Sequence, residues 1–460
     1  MKPRSPILFH LLTGITICWL ALSTVRADTE LPASGYSPRS GELTAREMTI
    51  AKNAWQYFVT NYQPTTGLVN AVNKYPSTTM WDSASYLAAL TAARELGIID
   101  KAEFDRRMLK FLATLNTLVL FRNELPNKAY NTISGQKVDY TNKPGEIGFS
   151  ALDIGRMLVW LKIIKERYPE YGNSIDNVVL GWDFSHAIDP CGTLYGAYLE
   201  NGQPKYVQEG RLGYEEYGAA GFQLWGFSPE KAFTPPAHHV IIAQRRLAVD
   251  ARDPRTTWQP SLITTLPYML PGLEFGWEPE GVAADRQKHL RKQAENVWLS
   301  QKSRWETDKI LTARADFSLP QAPWHIQDTV WGNGYAWNSV GDDGRDYTRF
   351  AQVSTKAVFA LWALWDTPYT DVLMAVTKHL NDPQKGWYEG RQEATGDTNA
   401  ALTLSTNATV LEALFFKHNA GPLFDARRAK KESYFTRRVA DDYTPVGHCL
   451  PGENAVRRTP

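Results

Sequence analysis

Residues 209–226, which read EGRLGYEEYGAAGFQLWG, carry the pattern on which our prediction of the fold and the site depends. The second half of this segment predicts a helix with one apolar stripe, because apolar and aromatic residues recur there at helical spacing. The stripe consists of Tyr214, Tyr217, Gly221, Leu224 and Trp225. The first half places three glutamates beside the start of the helix, where the dipole and the free N–H groups favour negative charge.

Two of these glutamates indicate a sugar site. Glu209 and Glu216 are seven residues apart, so in a helix that begins early enough they lie nearly on one face, about 10 Å apart along the axis. A sugar ring can bridge that gap, with Glu209 or Glu216 as proton donor. Arg211 is expected to keep a neighbouring carboxylate ionised, and Tyr214 to contact the substrate. The plainer interpretation makes Glu209 and Glu215 first-turn acids on a solvated face.

The composition favours a carbohydrate partner. The chain has 460 residues, of which 43% are hydrophobic and 22% charged, as in ordinary globular proteins. A formal net charge of +1 gives no reason to expect nucleic acid as a partner. The 16 Trp, 21 Tyr and 18 Phe are more informative. Because aromatic faces stack well on the C–H faces of sugar rings, they predict an oligosaccharide or polysaccharide partner.

The N-terminus has the pattern of an export signal. Lys2 and Arg4 precede an apolar run over residues 7–25, and the small residue Ala27 follows it. This order predicts a signal peptide over residues 1–27, cleaved after Ala27, and a periplasmic or secreted protein. The alternative is an uncleaved anchor, since the run approaches the length of a membrane span. No other stretch is apolar enough to span a membrane, and a flexible leader is expected over residues 28–43.

Cleavage leaves two cysteines, Cys191 and Cys449. In an exported chain an even number permits a disulfide, here between a mid-chain loop and the C-terminal tail, and two free thiols are the alternative. His238 and His239 are adjacent rather than four residues apart, so they cannot share one helix face as metal ligands. We expect neither a metal ion nor a cofactor.

Helical periodicity alternates with long loops between residues 44 and 420. Strand patterns are short and lie in the loops, as in a hairpin predicted over residues 186–208. Neither a βαβ rhythm nor a glycine-rich phosphate loop occurs. We predict one mainly α domain over residues 44–420, with long loops and short β-hairpins at its rim, followed by a basic C-terminal extension over residues 421–460.

Further candidates combine charged side chains with aromatic rings. Trp81 is predicted to stack on a sugar, and its neighbour Asp82 is either an acid–base residue or an N-cap. Asp153 and Arg156 lie in an otherwise apolar helical segment, either as a buried pair or as the wall of a polar cavity. The second half of the chain adds the candidate substrate-binding residues Asp328, Trp331, Trp337, Trp387 and Glu389.

Five segments together resemble the bacterial DUF3131 family. They read TMWDSASYLAA (79–89), PNKAY (126–130), FSALDIGR (149–156), the 209–226 segment quoted above, and LSTNATVLEAL (404–414). The resemblance spans roughly residues 45–420 and implies a relation to the glucoamylase-like glycosidases, and therefore an (α/α)6 toroid or barrel. It also implies relatives in the wider group that cleave glucans such as β-1,2-glucan by inversion, using two acidic residues.

The predicted activity is glycoside hydrolysis of a glucan or exopolysaccharide. An inverting enzyme needs one acid to protonate the leaving oxygen and one base to activate water. Glu209 or Glu216 is the predicted acid, and Asp82, Asp153 or Asp328 is the predicted base.

Two other functions fit the same residues. A non-catalytic polysaccharide-binding protein of an envelope polysaccharide system would keep the aromatic cleft without a carboxylate pair at catalytic separation. A lyase or epimerase would favour Tyr214 or His325 over such a pair.

Overall fold

Helices dominate the computed structural model, which describes residues 35–254, 259–424, 445, 446 and 449. The eleven α-helices in these residues are α1 Ala45–Thr60, α2 Met80–Glu95, α3 Lys101–Thr117, α4 Ala151–Arg167, α5 Gly172–Leu180, α6 Tyr214–Gln223, α7 Leu266–Phe275, α8 Ala284–Asp308, α9 Thr355–Leu364, α10 Pro368–Thr377 and α11 Leu404–His418. The predicted mainly α character is confirmed. The described residues from Tyr36 onward form one compact unit.

Short polar side chains fix where several helices begin. Thr79, Ser150 and Thr403 each accept the backbone N–H of the residue three positions later, at the starts of α2, α4 and α11. Such caps satisfy one of the N–H groups that a helix leaves without a partner at its N-terminus. They place Asp82 and Asp153 in the first turns of α2 and α4.

Six helices contact one another in a closed order. α2 packs against α4, α4 against α6, α6 against α7, α7 against α9, α9 against α11, and α11 against α2. Nearly all residues of α2, α7, α9 and α11 are buried, whereas α1, α3, α8 and α10 each keep an exposed face. A helix that is apolar on all sides lies inside a protein, so α2, α7, α9 and α11 lie in the interior of the unit.

Glycine permits the close approach of α4 and α6. A Cβ atom on Gly221 would lie 2.0 Å from the carbonyl oxygen of Gly155, and one on Gly155 would lie 2.5 Å from that of Gly218. Backbone therefore packs directly on backbone at this crossing. The YGAAG part of the 209–226 segment is explained by this contact as well as by its helical periodicity.

Gly221→Ala is expected to lower the free energy of unfolding by about 1–3 kcal/mol, because the new methyl group must push the two helices apart. Gly172→Ala is the matched control. Its Cβ would meet only the Lys165 side chain, at 3.9 Å, and we expect a change within about 1 kcal/mol. Urea unfolding followed by circular dichroism measures both. Equal stability of the two variants would contradict the proposed tight crossing.

The strands are short and lie between the helices. They are β1 Ser77–Thr79, β2 Ala129–Asn131, β3 Tyr195–Glu200, β4 Gln203–Gln208, β5 Ala237–Ile242, β6 Arg245–Asp250, β7 Leu262–Ile263, β8 Phe317–Ser318, β9 His325–Asp328, β10 Trp331–Gly332, β11 Tyr335–Ala336, β12 Ser339–Gly341, β13 Gln352–Ser354, β14 Asn381–Asp382, β15 Gly386–Gln392 and β16 Thr398–Leu402. The hairpin predicted over residues 186–208 is observed as the antiparallel pair of β3 and β4. Tyr195 lies opposite Gln208 at one end of the hairpin, and Glu200 lies opposite Gln203 at the other.

The two ends of the chain are described only in part. The predicted signal peptide, and the leader up to residue 34, lie outside the described residues, as does most of the 421–460 extension. Cys449 is described, and a disulfide joins it to Cys191, the two residues for which the sequence predicted a bridge. Within the described part of the chain, no helix has the length and hydropathy needed to cross a membrane.

Candidate functional site

Acidic residues gather at the N-terminal ends of the buried helices. Asp82 and Asp153 are the third residues of α2 and α4. Both are partly exposed, although the helix turns that follow them are buried. The charge of Asp82 acts on Asp153, and the Trp81 backbone N–H donates to Asp153. Solvent therefore reaches both carboxylates, and we refer to this end of α2 and α4, with the side chains that approach it, as the acidic cavity.

Asp153 and Glu209 form one pair of carboxyl groups. Glu209 lies in the loop between β4 and α6 and accepts the backbone N–H of Ala151 at the start of α4. The Ser150 hydroxyl is 3.2 Å from Asp153 Oδ1 and also hydrogen-bonds Glu209. Ser150 therefore lies between the two carboxyl groups and holds them near each other.

Burial and mutual repulsion favour a proton on this pair. Burial, followed by the negative charges of Glu209 and Asp82, raises the pKa of Asp153 to about 7. Burial also raises the pKa of Glu209, against the opposing effects of Lys128 and of the hydrogen bonds from Ser150 and Ala151. Because two neighbouring carboxyl groups ionise as a coupled system, the pair loses its last proton at a higher pH than an isolated carboxyl group does.

A second group surrounds a buried lysine. Lys356, the second residue of α9, is 1% exposed, and its Nζ lies 2.7 Å from Asp316 Oδ2 and 3.4 Å from Ser405 Oγ. Glu389 in β15 accepts a hydrogen bond from Thr403 and acts electrostatically on Lys356. The first turns of α9 and α11 therefore lie side by side, and the charge of Lys356 also acts on Asp82 in the first turn of α2.

The pKa of Asp316 shifts in the opposite direction from those of the first pair. Burial acts to raise it, but the charges of Lys356 and His325 and the hydrogen bond from Lys356 lower the pKa below its ordinary value. Asp82 links the two groups, because it interacts with Asp153 as well as with Asp316 and Lys356. The same region thus holds a carboxyl pair with raised pKa values and a carboxylate with a lowered pKa, which is the combination that acid–base catalysis requires.

Aromatic rings border the cavity. The Trp81 ring lies 5.7 Å from that of Tyr214 and 5.6 Å from that of Tyr217, both edge-on. Tyr140 is 66% exposed, yet the surrounding protein, and next the charges of Asp153 and Glu209, raise the pKa of its hydroxyl. The Tyr140 side chain therefore stands at the mouth of the cavity near the carboxyl pair.

Arg156 pairs with other partners than Asp153. Its guanidinium contacts Glu274 at 3.0 Å and Glu412 at 3.3 Å, hydrogen-bonds Tyr217 at 2.5 Å, and lies 5.1 Å from the centre of the Trp81 ring. The cluster joins α4, α6, α7 and α11 in the interior. Arg156 thus contacts Trp81 and Tyr217, two of the aromatic residues that border the cavity.

Glu216 and Arg211 are held by backbone contacts beside the cavity. Glu216 accepts the Gly213 backbone N–H at 2.9 Å and so caps α6; burial raises its pKa to about 7, and its charged neighbours are Asp250 and Arg252. Arg211 donates to the carbonyl groups of residues 210 and 259 and to the side chain of residue 208. The structure therefore brings Glu209, and not Glu216, together with Asp153.

The candidates from the second half of the chain are distributed over several environments. Asp328 is fully buried and pairs with Arg314 at 2.5 Å. Trp387 is 1% exposed and donates to the carbonyl group of residue 50, so it belongs to the core. Arg304 lies over the Trp337 ring at 4.5 Å, and Trp331 meets His238 edge-on at 6.4 Å. Of the five, Glu389 is the one that acts on Lys356, and it is fully buried behind the acidic cavity.

Three residues of the cavity were missed from the sequence. Lys356 had a usable signal, since it is the one charged residue of α9 and a lone charge in a buried helix requires a partner. Asp316 and Tyr140 lie in irregular segments before β8 and after β2. Local pattern gave no sign of either, because only the tertiary fold brings them to the cavity.

Solved structures with a similar fold are glucoamylase-like glycosidases, including endo-β-1,2-glucanases. The endo-β-1,2-glucanase from Chitinophaga pinensis, in complex with sophorotriose and glucose, is 13% identical with a TM-score of 0.62; the match covers 87% of this chain and 98% of that one. A glucoamylase-like protein from Bacteroides fragilis is 14% identical with a TM-score of 0.61, over 89% and 99% of the two chains.

Another endo-β-1,2-glucanase matches with a lower TM-score. The endo-β-1,2-glucanase from Talaromyces funiculosus, in complex with sophorose, is 13% identical with a TM-score of 0.52, over 86% of this chain and 88% of that one. No curated protein matches the sequence. The family model described as "Protein of unknown function (DUF3131)" matches residues 49–420. The chain belongs to the DUF3131 family.

Proposed function

We propose that this protein is an exported glycoside hydrolase that cleaves a β-1,2-linked glucan by inversion. The observation that carries the proposal is the acidic cavity, in which the Asp153–Glu209 pair and Asp316 have pKa shifts of opposite direction. The likeness to endo-β-1,2-glucanases supports the choice of glucan, and inversion follows from the family resemblance.

The proposed architecture is an (α/α)6 toroid. The closed order of α2, α4, α6, α7, α9 and α11 supports an inner ring of six helices. Capped first turns carry Asp82 in α2 and Asp153 in α4, and the first turn of α9 carries Lys356. In this arrangement the helix N-termini contribute positive potential to a cavity that contains several carboxylates.

On the acid side, the Asp153–Glu209 pair gives its proton to the glycosidic oxygen as the bond to the anomeric carbon breaks. Such donation requires a carboxyl group that is still protonated near neutral pH, which the raised pKa of Asp153 provides. Trp81 and Tyr214 form the wall on which a sugar ring stacks. Tyr140 covers the same sugar from the mouth of the cavity.

On the base side, Asp316 accepts a proton from water while the water oxygen forms the new bond to the anomeric carbon. The pKa of Asp316 lies below its ordinary value, as this step requires. Asp82, between the two groups, accepts a hydrogen bond from a sugar hydroxyl. The reaction consumes one water and yields two sugars, the one with the new reducing end being first released as the inverted anomer.

The test uses residues 28–460 with the Cys191–Cys449 bridge intact. Incubation with β-1,2-glucan and a panel of other α- and β-glucans is followed by chromatography, and 1H NMR identifies the first anomer formed. We expect oligosaccharides from β-1,2-glucan, lost in Asp316→Asn by at least about 10²-fold and retained in Asp366→Asn, whose side chain is 59% exposed. Tight binding without products would favour the polysaccharide-binding alternative.

A further inference from the structure

Lys356 occupies a position that disfavours the positive charge of a lysine side chain. It lies in the first turn of α9, where the helix dipole disfavours a positive charge, and its side chain is 1% exposed. Removing an ammonium group from water costs several kcal/mol unless it is well paired. The strong pairing partner is Asp316, whose Oδ2 is 2.7 Å away, with Ser405 Oγ at 3.4 Å.

We propose that Lys356 is the positioning residue that fixes the orientation of Asp316 and keeps it ionised as the base. This inference rests on the proposed function, in which Asp316 activates water. The ammonium group is sealed in the protein interior, whereas the Asp316 side chain is 20% exposed to the cavity. One carboxylate oxygen therefore faces the lysine, and the group as a whole remains accessible to water.

The other acids around Lys356 do not compete for its charge. Asp82 and Glu389 both interact with it, but burial raises the pKa of each of them above the ordinary value. Among these three acids, Asp316 is the one whose oxygen forms an ion pair with Lys356, at 2.7 Å. The single positive charge of Lys356 is thus matched to Asp316.

Other titratable groups besides Lys356 surround Asp316. His325 and Lys356 both lower the pKa of Asp316. The negative charge of Asp316 acts in turn on Tyr214 of α6 and on Asp82 of α2. The charged and titratable groups facing Asp316 are therefore Lys356, His325, Asp82, Tyr214 and Glu389. Lys356 is the only one of these five that contacts it through an ion pair.

The experiment measures the protonation of Asp316 directly. Carboxyl 13C NMR follows Asp-labelled protein across pH, and the signal lost in Asp316→Asn assigns the residue. In the wild type we expect a midpoint below the ordinary value of about 3.9. Lys356→Met should raise this midpoint by about 1–3 pH units, because an opposite charge within 4–6 Å has that effect. Lys356→Arg, which keeps the charge, should restore most of the shift.

Activity provides the second readout. With β-1,2-glucan as substrate, the acidic limb of kcat/KM should move to higher pH in Lys356→Met by the same amount and return in Lys356→Arg. A merely structural lysine would lower activity at every pH without moving the limb. An unmoved Asp316 midpoint in Lys356→Met overturns the proposal.

The wild type alone can also refute it. If Lys356→Met does not fold, the wild type and Lys356→Arg still test whether Lys356 keeps Asp316 ionised. A wild-type Asp316 midpoint at or above the ordinary value contradicts this role. A lowered midpoint that is kept in Lys356→Arg supports it. Since NMR titration needs no turnover, a protein with the expected midpoints that cleaves no glucan would disprove the hydrolase and leave the Lys356–Asp316 coupling standing.

Discussion

Asp153→Asn and Glu209→Gln are each expected to lower kcat/KM on the cleaved glucan by at least about 10²-fold, because general acid catalysis contributes 10²–10⁴-fold. Both residues are needed since the Ser150 hydroxyl and their mutual repulsion make them one proton-holding unit. The double variant should be no more than a few-fold slower than the slower single variant. Initial rates of product release, measured over a range of substrate concentrations, give these values.

The pH dependence of the wild type follows from the same pair. The donor acts only while protonated, and the pKa of Asp153 is raised to about 7. Activity should therefore fall as pH rises through about 7 on the basic limb of kcat/KM. Glu209→Gln removes a negative charge beside Asp153, so the pKa of Asp153 falls and the basic limb moves to lower pH.

Glu216→Gln is the matched control for Glu209→Gln. It changes the same residue type in the same segment, and the amide oxygen can still accept the Gly213 backbone N–H. We expect kcat/KM to stay within about threefold of the wild type, which is well inside the 10²-fold expected of a lost proton donor. Equal losses in Glu216→Gln and Glu209→Gln, or losses that multiply in the Asp153 and Glu209 double variant, would contradict the assignment of the donor.

The sequence could predict helices and the acidic N-terminal turns, because periodicity and caps are local. Trp81, Asp82 and Asp153 were found in this way, and the structure brings all three to one cavity. The seven-residue spacing of Glu209 and Glu216 misrepresented their relation, since α6 begins at Tyr214 and Glu209 lies in the loop before it. Glu209 contacts α4 instead, through a tertiary contact that no spacing within one segment encodes.

The sequence indicates that charged residues in apolar helices need partners, but it does not identify those partners. The three-residue spacing of Asp153 and Arg156 favoured a pair, yet Asp153 points to the cavity and Arg156 to Glu274 and Glu412 in other helices. Glu412 lies 256 residues from Arg156 along the chain. Such partners follow from the packing of the central helices, which must be known before the side chains can be matched.

Arg156→Met is expected to cause the largest loss of stability, about 3–5 kcal/mol at pH 7, because it leaves a buried carboxylate without its counter-ion. Arg156 is 2% exposed at its side chain, and Glu274 and Glu412 are fully buried. Burial, and next the charge of Glu274, raises the pKa of Glu412 well above its ordinary value, with Arg156 opposing. The wild-type cluster therefore balances one cation against one ionised carboxylate.

The loss should depend on pH in a defined direction. Without Arg156, the pKa of Glu274 in the folded state rises further above its value in the unfolded chain, which is about 4.3. A raised folded-state pKa gives stability that is fully present below the unfolded pKa and is lost as pH rises through the folded pKa. The deficit of Arg156→Met should thus be smallest near pH 4 and grow toward pH 7.

Arg106→Met tests whether the burial of the ion pair, rather than the loss of an arginine, causes the effect. Arg106 pairs with Glu103 at 2.5 Å, but its side chain is 55% exposed, and exposed pairs contribute about 0–1 kcal/mol. Urea unfolding at several pH values measures both variants. Because burial makes the Arg156 cluster costly to break, a deficit below about 1 kcal/mol at every pH would mean that Glu274 and Glu412 are both neutral in the folded protein. A deficit that grows as pH falls would contradict the predicted rise in the pKa of Glu274.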